Sequence, residues 1–166
     1  MRPSTEQEFL AFVAAATPAL FRVAYALTGQ QQAAEDLLQS ALERVAARWR
    51  RIDDPGAYAR TVMYHEQISW WRRWKRREVV VARPPERVAD DPAAGVALRL
   101  SLRAALDRLG PRQRAVLVLR YLEDRPEAEV ARLLGCSPKT VASQASRGLA
   151  RLRELCPELG SLEEAR

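Results

Sequence analysis

The chain has 166 residues, enough for one domain of ordinary size or two small ones, and 48% of them are apolar, so a core can form. Its 27 Lys and Arg against 21 Asp and Glu give a net charge of +6 and a pI near 10.0, which points to a polyanionic partner, nucleic acid or an acidic membrane surface. One histidine (His65) and two distant cysteines (Cys136 and Cys156) offer no metal-ligand spacing and no disulfide framework, so no cofactor is expected and a reduced cytoplasm is the simplest compartment.

The pattern reads helical almost throughout. Phe9, Phe12, Val13 and Ala16 recur at i, i+3, i+4 and i+7. Pro18 is expected to open a second helical stretch, with Leu20, Val23, Ala24 and Leu27 on one face and Gly29 as its stop. Glu6 and Glu8 precede the short apolar run FLAFVAAA (9–16), where a secretory leader would carry cations, and no run of 18 apolar residues occurs. Neither a signal peptide nor a membrane span is therefore expected. From about 31 to 50, Leu37, Leu38, Ala41, Leu42 and Val45 make another stripe. Asp54 can cap a new helix, Pro55 suits its first position, and that helix is expected to run to about Arg77.

Residues 79–95, VVVARPPERVADDPAAG, hold three prolines and no helical stripe, and read as a linker. A second helical unit follows. Leu98, Leu102, Ala105, Leu106 and Leu109 form a stripe closed by Gly110, and Pro111 starts the next helix with Val116, Leu117, Leu119 and Tyr121.

The stretch LLGCSPKTVASQASRGLARLR (133–153) is more specific. A short helix ends at Gly135, a residue at ease in the left-handed conformation; Ser137 is a good N-cap and Pro138 fits the first turn. Val130, Leu133 and Leu134 can face Val141, Ala145, Leu149 and Leu152, while Lys139, Thr140, Ser143, Gln144, Ser146, Arg147 and Arg151 occupy the opposite side. A helix-turn-helix with donors on its outer face suits the major groove better than an ordinary hairpin with a solvated face. Ser143, Gln144 and Arg147 are assigned to base edges, and Lys139, Thr140 and Arg151 to phosphates.

The segment HEQISWWRRWKRRE (65–78) sets three tryptophans among five cations. A tryptophan core with a basic rim, a membrane surface and DNA contact all compete for it. On a helix Trp70 and Trp74 share a face, expected to pack, and Trp71 lies about 100° away. Trp71, Arg72, Arg73, Arg76 and Arg77 are the expected DNA edge, since stacking on an aromatic ring and neutralised phosphates hold single strands.

These motifs together resemble the extracytoplasmic-function sigma factors of bacterial RNA polymerase, over residues 5–78 and 96–154. LGPRQRAVLVLRYLED (109–124) with the helix-turn-helix is similar to the family's region 4, which binds the −35 promoter element. AAEDLLQSALERVAARW (33–49) resembles region 2.2, which docks on polymerase. DDPGAYARTVMYHEQISWWRRWKRRE (53–78) resembles regions 2.3 and 2.4, which open and read the −10 element. SWWRR and QASRGLARLR look most like an actinobacterial, SigE-like branch.

The resemblance implies an all-α chain of two small helical domains joined by a flexible linker: region 2 at 1–78, linker 79–95, region 4 at 96–156, and a tail at 157–166. It implies core polymerase as partner, its β′ clamp helices with region 2 and its β flap with region 4, and promoter DNA as duplex and as melted strand. An anti-sigma factor is a further candidate partner; a membrane is not. Glu35, Asp36, Gln39 and Glu43, a polar side of their helix, become polymerase-docking residues, and His65 falls where the family accepts a flipped-out −10 base. Two positions depart: many members carry Asn where His65 stands, and Lys or Arg where Ala142 stands, so base preferences do not carry over. No paired carboxylates or Gly-rich phosphate loop suggest catalysis. The rivals are a conventional helix-turn-helix regulator, which would carry a ligand or phosphoacceptor domain, and a helical adaptor that touches nucleic acid nonspecifically.

Overall fold

A computed structural model describes residues 4–76 and 94–159, apart from the side chains of residues 71, 72, 74–76 and 94–98. Residues 77–93, which hold Arg77 and most of the expected linker, and the end of the tail lie outside the described residues; the last two linker positions, 94 and 95, already belong to a helix. Among those described there are seven α-helices and no strand.

Helix α1 (Thr5–Thr28) starts at a capping box. Ser4 Oγ accepts the Gln7 N–H at 3.2 Å, and the Gln7 side chain accepts the Ser4 N–H at 2.9 Å. It ends at Gly29, φ 72°, whose N–H returns to Tyr25 O at 2.8 Å. The expected restart at Pro18 does not occur: α1 runs straight through it. An internal proline removes one helix bond and costs about 3 kcal/mol. Burial of Leu20, Val23, Ala24 and Leu27 beyond it holds the helix together. By length and composition alone α1 would also pass for a membrane span, with a window of mean hydropathy 1.7. Its C-terminal half, however, supplies core residues to the bundle.

Helix α2 (Gln31–Arg48) buries Ala34, Leu37, Leu38, Ala41 and Val45, as its stripe requires. A 3₁₀ turn at Trp49–Arg51 follows. Trp49 packs its ring 5.3 Å from both Phe9 and Phe12, tying the start of α1 to the end of α2. Asp54 Oδ1 accepts the Ala57 N–H at 2.9 Å and opens α3 (Pro55–Arg76), which buries Ala59, Val62, Met63 and Tyr64 against α1 and α2.

The later helices are α4 (Ala94–Asp107), α5 (Pro111–Leu117), α6 (Glu127–Leu134) and α7 (Pro138–Leu155). A π-helical turn, Val118–Leu122, extends α5, and Asp124 then takes φ 50° to turn the chain toward α6. Gly148 lets α7 lie close on α5: a Cβ there would stand 3.0 Å from Leu117 Cδ1. These helices do not stand apart from the first three. One apolar cluster joins Leu20, Met63 and Tyr64 to Val116, Leu119, Val130 and Val141. A smaller cluster of Ala105, Leu109, Leu117, Leu152 and Cys156 closes the far side.

Candidate nucleic-acid and polymerase interfaces

The turn between α6 and α7 is built as its residues dictate. Gly135 sits at φ 64° and caps α6; Ser137 Oγ accepts the Thr140 N–H at 3.1 Å and starts α7, with Pro138 in the first turn. Val141, Ala145, Gly148 and Leu152 are buried, which turns the opposite face of α7 outward. Lys139, Ser146, Arg147 and Arg151 are exposed, and Thr140, Ser143 and Gln144 are half-buried along the same side.

Three of these donors have partners within the chain. The Thr140 hydroxyl lies 2.9 Å from Ser137 Oγ, the Ser143 hydroxyl donates to Thr140 O at 3.2 Å, and Arg151 Nη1 pairs with Glu154 Oε2 at 2.9 Å. Thr140 and Ser143 therefore serve the helix start as well as the outer face. The Arg151–Glu154 pair is exposed and worth under about 1 kcal/mol, so it holds the guanidinium only weakly.

The second surface lies on α3. His65, Ser69, Trp70 and Arg73 line an open cleft of about 870 Å³, which Thr28 and Gln30 bound at the α1–α2 corner, and Asp36 and Arg44 on α2. His65 and Arg73 are exposed. Trp70 corrects the expectation that it packs: it is 54% exposed. The reason is geometric: among the described residues of α3 the last fully buried one is Tyr64, Ile68 is half-buried, and Ser69, Trp70 and Arg73 all lie in the open. The side chains of Trp71, Arg72, Trp74 and Arg76 lie outside the described residues, as does Arg77.

A hydrogen-bonded base stiffens the cleft. Glu66 Oε1 accepts Ser40 Oγ at 2.8 Å and pairs with Arg44 Nη2 at 2.8 Å, bracing α3 against α2 one residue after His65. Nothing in the sequence marks Ser40 or Glu66, because the contact spans 26 positions. Tyr64, one residue before His65, is buried, and its hydroxyl has no hydrogen-bond partner. Burial, and secondarily the Glu123 carboxylate, push its pKa well above the usual tyrosine range.

The third surface divides the polar set on α2. Asp36 faces the His65 cleft and accepts from Gln32 Nε2 at 3.1 Å. Glu35, Gln39 and Glu43, one helical turn apart, instead edge an apolar groove of about 460 Å³ between α1 and α2, floored by Phe9, Val13, Leu38 and Leu42. Gln39 Nε2 donates to Glu43 Oε1 at 3.1 Å. A groove with an apolar floor and an acidic polar rim fits a helical protein partner.

Known proteins match along most of this chain. Residues 12–78 match the family model for sigma-70 region 2, and residues 99–152 match that for sigma-70 region 4. The chain belongs to the sigma-70 family. It is 42% identical over 150 residues to the RNA polymerase sigma-E factor of Streptomyces coelicolor, covering 89% of this chain and 85% of that one. It is 34% identical to the ECF RNA polymerase sigma factor SigJ of Mycobacterium tuberculosis, over 77% of this chain and 45% of that one. Among solved structures, the sigma factor RpoE from Bartonella quintana, crystallised with the anti-sigma factor NepR, superposes with a TM-score of 0.69 at 28% identity. That match covers 89% of this chain and 96% of the other. In this sigma-70 family member the region 2 match falls on α1–α3, which carry the cleft and the groove, and the region 4 match on α4–α7, which carry the helix-turn-helix.

Proposed function

We propose that this chain is a sigma subunit that binds core RNA polymerase, brings it to promoters with −35 and −10 elements, and assists their melting. The observation that carries this reading is the presence, on one chain with both family regions, of an exposed helix-turn-helix face and a separate cleft lined by His65, Trp70 and Arg73. Residues 1–78 and 96–156 are the two functional domains, 79–95 the linker and 157–166 a tail.

Region 4 lays α7 in the major groove of the −35 duplex. Ser143, Gln144 and Arg147 read base edges, while Lys139, Thr140, Ser146 and Arg151 hold backbone or flanking positions. Region 2 takes the melted strand. A base released from the stack enters the cleft beside His65, Trp70 supplies a stacking face, and Arg73, with Trp71, Arg72, Arg76 and Arg77, holds the strand. Unstacking a base step costs a few kcal/mol; stacking on an exposed ring returns about 1–3 kcal/mol per base. Glu35, Gln39 and Glu43 with the apolar groove dock on the β′ clamp helices, with Asp36 at the boundary of the two surfaces, and region 4 meets the β flap. The protein has no catalytic step of its own, works in the cytoplasm, and is open to control by an anti-sigma factor.

Footprinting tests the reading. With core polymerase on promoter fragments from the host genome, the protein is expected to protect two DNA segments separated by roughly 25 base pairs, as −35 and −10 contacts require. Protection of a single segment, unchanged when core is left out, would favour a conventional helix-turn-helix regulator.

A further inference from the structure

The side chains on the outer face of α7 differ in what they can offer a base. Arg147 is exposed and carries donors alone. Gln144 offers donors and an acceptor on one planar carboxamide. A serine hydroxyl in general has one proton and two lone pairs, and turns to suit its partner. Ser143 is already committed. Its Oγ donates to Thr140 O at 3.2 Å, back along the helix. The accepting residue is itself fixed by the helix start: the Thr140 N–H donates to Ser137 Oγ at 3.1 Å, and the two hydroxyls lie 2.9 Å apart.

Ser143 also stands where a base would meet it. Val141, Ala145, Gly148 and Leu152 hold one side of α7 buried. Ser143 is two residues past Val141, about 200° round the helix, and so near the middle of the opposite face. With its proton kept on the protein, its oxygen presents lone pairs to the groove. Ala142, beside it, has no polar group to share the task. In the major groove guanine N7 and O6 and thymine O4 accept, whereas adenine N6 and cytosine N4 donate. A guanidinium therefore suits guanine, and an oxygen without a proton to give suits an amino group. A keto oxygen in the same place would face lone pairs with lone pairs.

We propose that Ser143 is an acceptor-only reader of the −35 duplex, and that it selects adenine or cytosine over guanine or thymine because Thr140 O holds its proton. The proposal rests on the reading of α7 as the −35 recognition helix, and adds to it the polarity of one contact. The four-residue step from Ser143 to Arg147 is about 6 Å along the helix, or roughly two base pairs. The amino-bearing base accordingly lies within about two base pairs of the guanine that Arg147 suits.

The test is a library of duplexes with a fixed −10 region from a host promoter and a randomised −35 segment. It is offered to the full chain alone and to the full chain with core polymerase, and the bound DNA is sequenced. Wild type is expected to enrich adenine or cytosine at one position about fivefold over guanine and thymine, the effect of a single hydrogen bond. Ser143→Ala should flatten that position and leave the others as they were, with helix content by circular dichroism unchanged. Ser143→Thr, whose hydroxyl can donate to a carbonyl of the preceding turn, should keep it. Arg147→Ala should flatten a separate guanine position. The proposal is overturned if Ser143→Ala leaves every position as in wild type, or weakens all sequences alike as loss of a phosphate contact would. A Ser143-dependent position that prefers guanine or thymine would also overturn it, as would a wild-type chain with no base preference in either arm. Equal enrichment with and without core, still dependent on Ser143, would keep the readout and sink the sigma reading. Enrichment that needs core but ignores Ser143 would do the reverse.

Discussion

On the proposed reading, His65 is the residue on which −10 base preference turns. It stands exposed on the cleft wall, with Glu66 fixed by Ser40 and Arg44 next to it in sequence, so its backbone is held while its ring faces the open cleft. Imidazole and carboxamide present different donor and acceptor sets. His65→Asn is therefore expected to shift the preferred base in a −10 library; an unchanged preference would remove His65 from the pocket. Trp70→Ala should barely alter thermal stability, because the ring is 54% exposed. It should slow open-complex formation roughly five- to a hundredfold, the equivalent of one lost stack, and less on a pre-melted template. Equal effects on both templates would mark Trp70 as structural.

Tyr64 makes the opposite kind of prediction. Its buried hydroxyl lacks a partner, so Tyr64→Phe should stabilise the fold by about 1 kcal/mol in a denaturant melt. The sign with pH is fixed by its raised pKa. Above pH 10.0, its ordinary value, the unfolded chain releases this proton and the folded chain keeps it, so stability falls as pH rises. Tyr64→Phe should soften that alkaline loss. That His65 and Arg73 share one surface was legible at this scale from motif and charge. Trp70 was misplaced, because helical periodicity says which residues share a face but not where the neighbouring helices stop.

The helices themselves were largely written in local chemistry. The stripes of α2 and α7, the Asp54 and Ser137 caps and the Gly29 and Gly135 stops all fall where periodicity and capping put them. Ser137→Ala should cost about 0.5–2 kcal/mol by loss of the Thr140 N–H partner. It should also weaken −35 binding, since the first turn of α7 carries Lys139 and Thr140. Pro18 was read as a boundary because local rules forbid proline inside a helix. Packing of Leu20, Val23 and Leu27 against the other helices, which no window around Pro18 reveals, overrides that rule. Pro18→Ala is accordingly expected to raise stability by about 1–3 kcal/mol, read as an increased denaturant midpoint.

At the scale of the whole molecule, fold class and family came through clearly, and the docking of the two regions did not. Arg103, Arg114 and Arg60 look like any other arginines in a basic chain. Their partners lie far off in sequence, 74 positions away for Arg103 and Gly29, and 88 for Arg114 and Ala26. Only a tertiary structure brings a buried guanidinium to a helix end. Likewise, the four polar residues of α2 formed one set in sequence, and only the groove beside Phe9 and Leu42 separates Asp36 from Glu35, Gln39 and Glu43.

The central claim, that this chain confers promoter-specific initiation, is tested most directly by run-off transcription with purified core polymerase on promoters from the host genome. Discrete transcripts of defined length should appear only when the folded protein is added. No added specific initiation, from a protein that is folded and present in excess over core, would contradict the account.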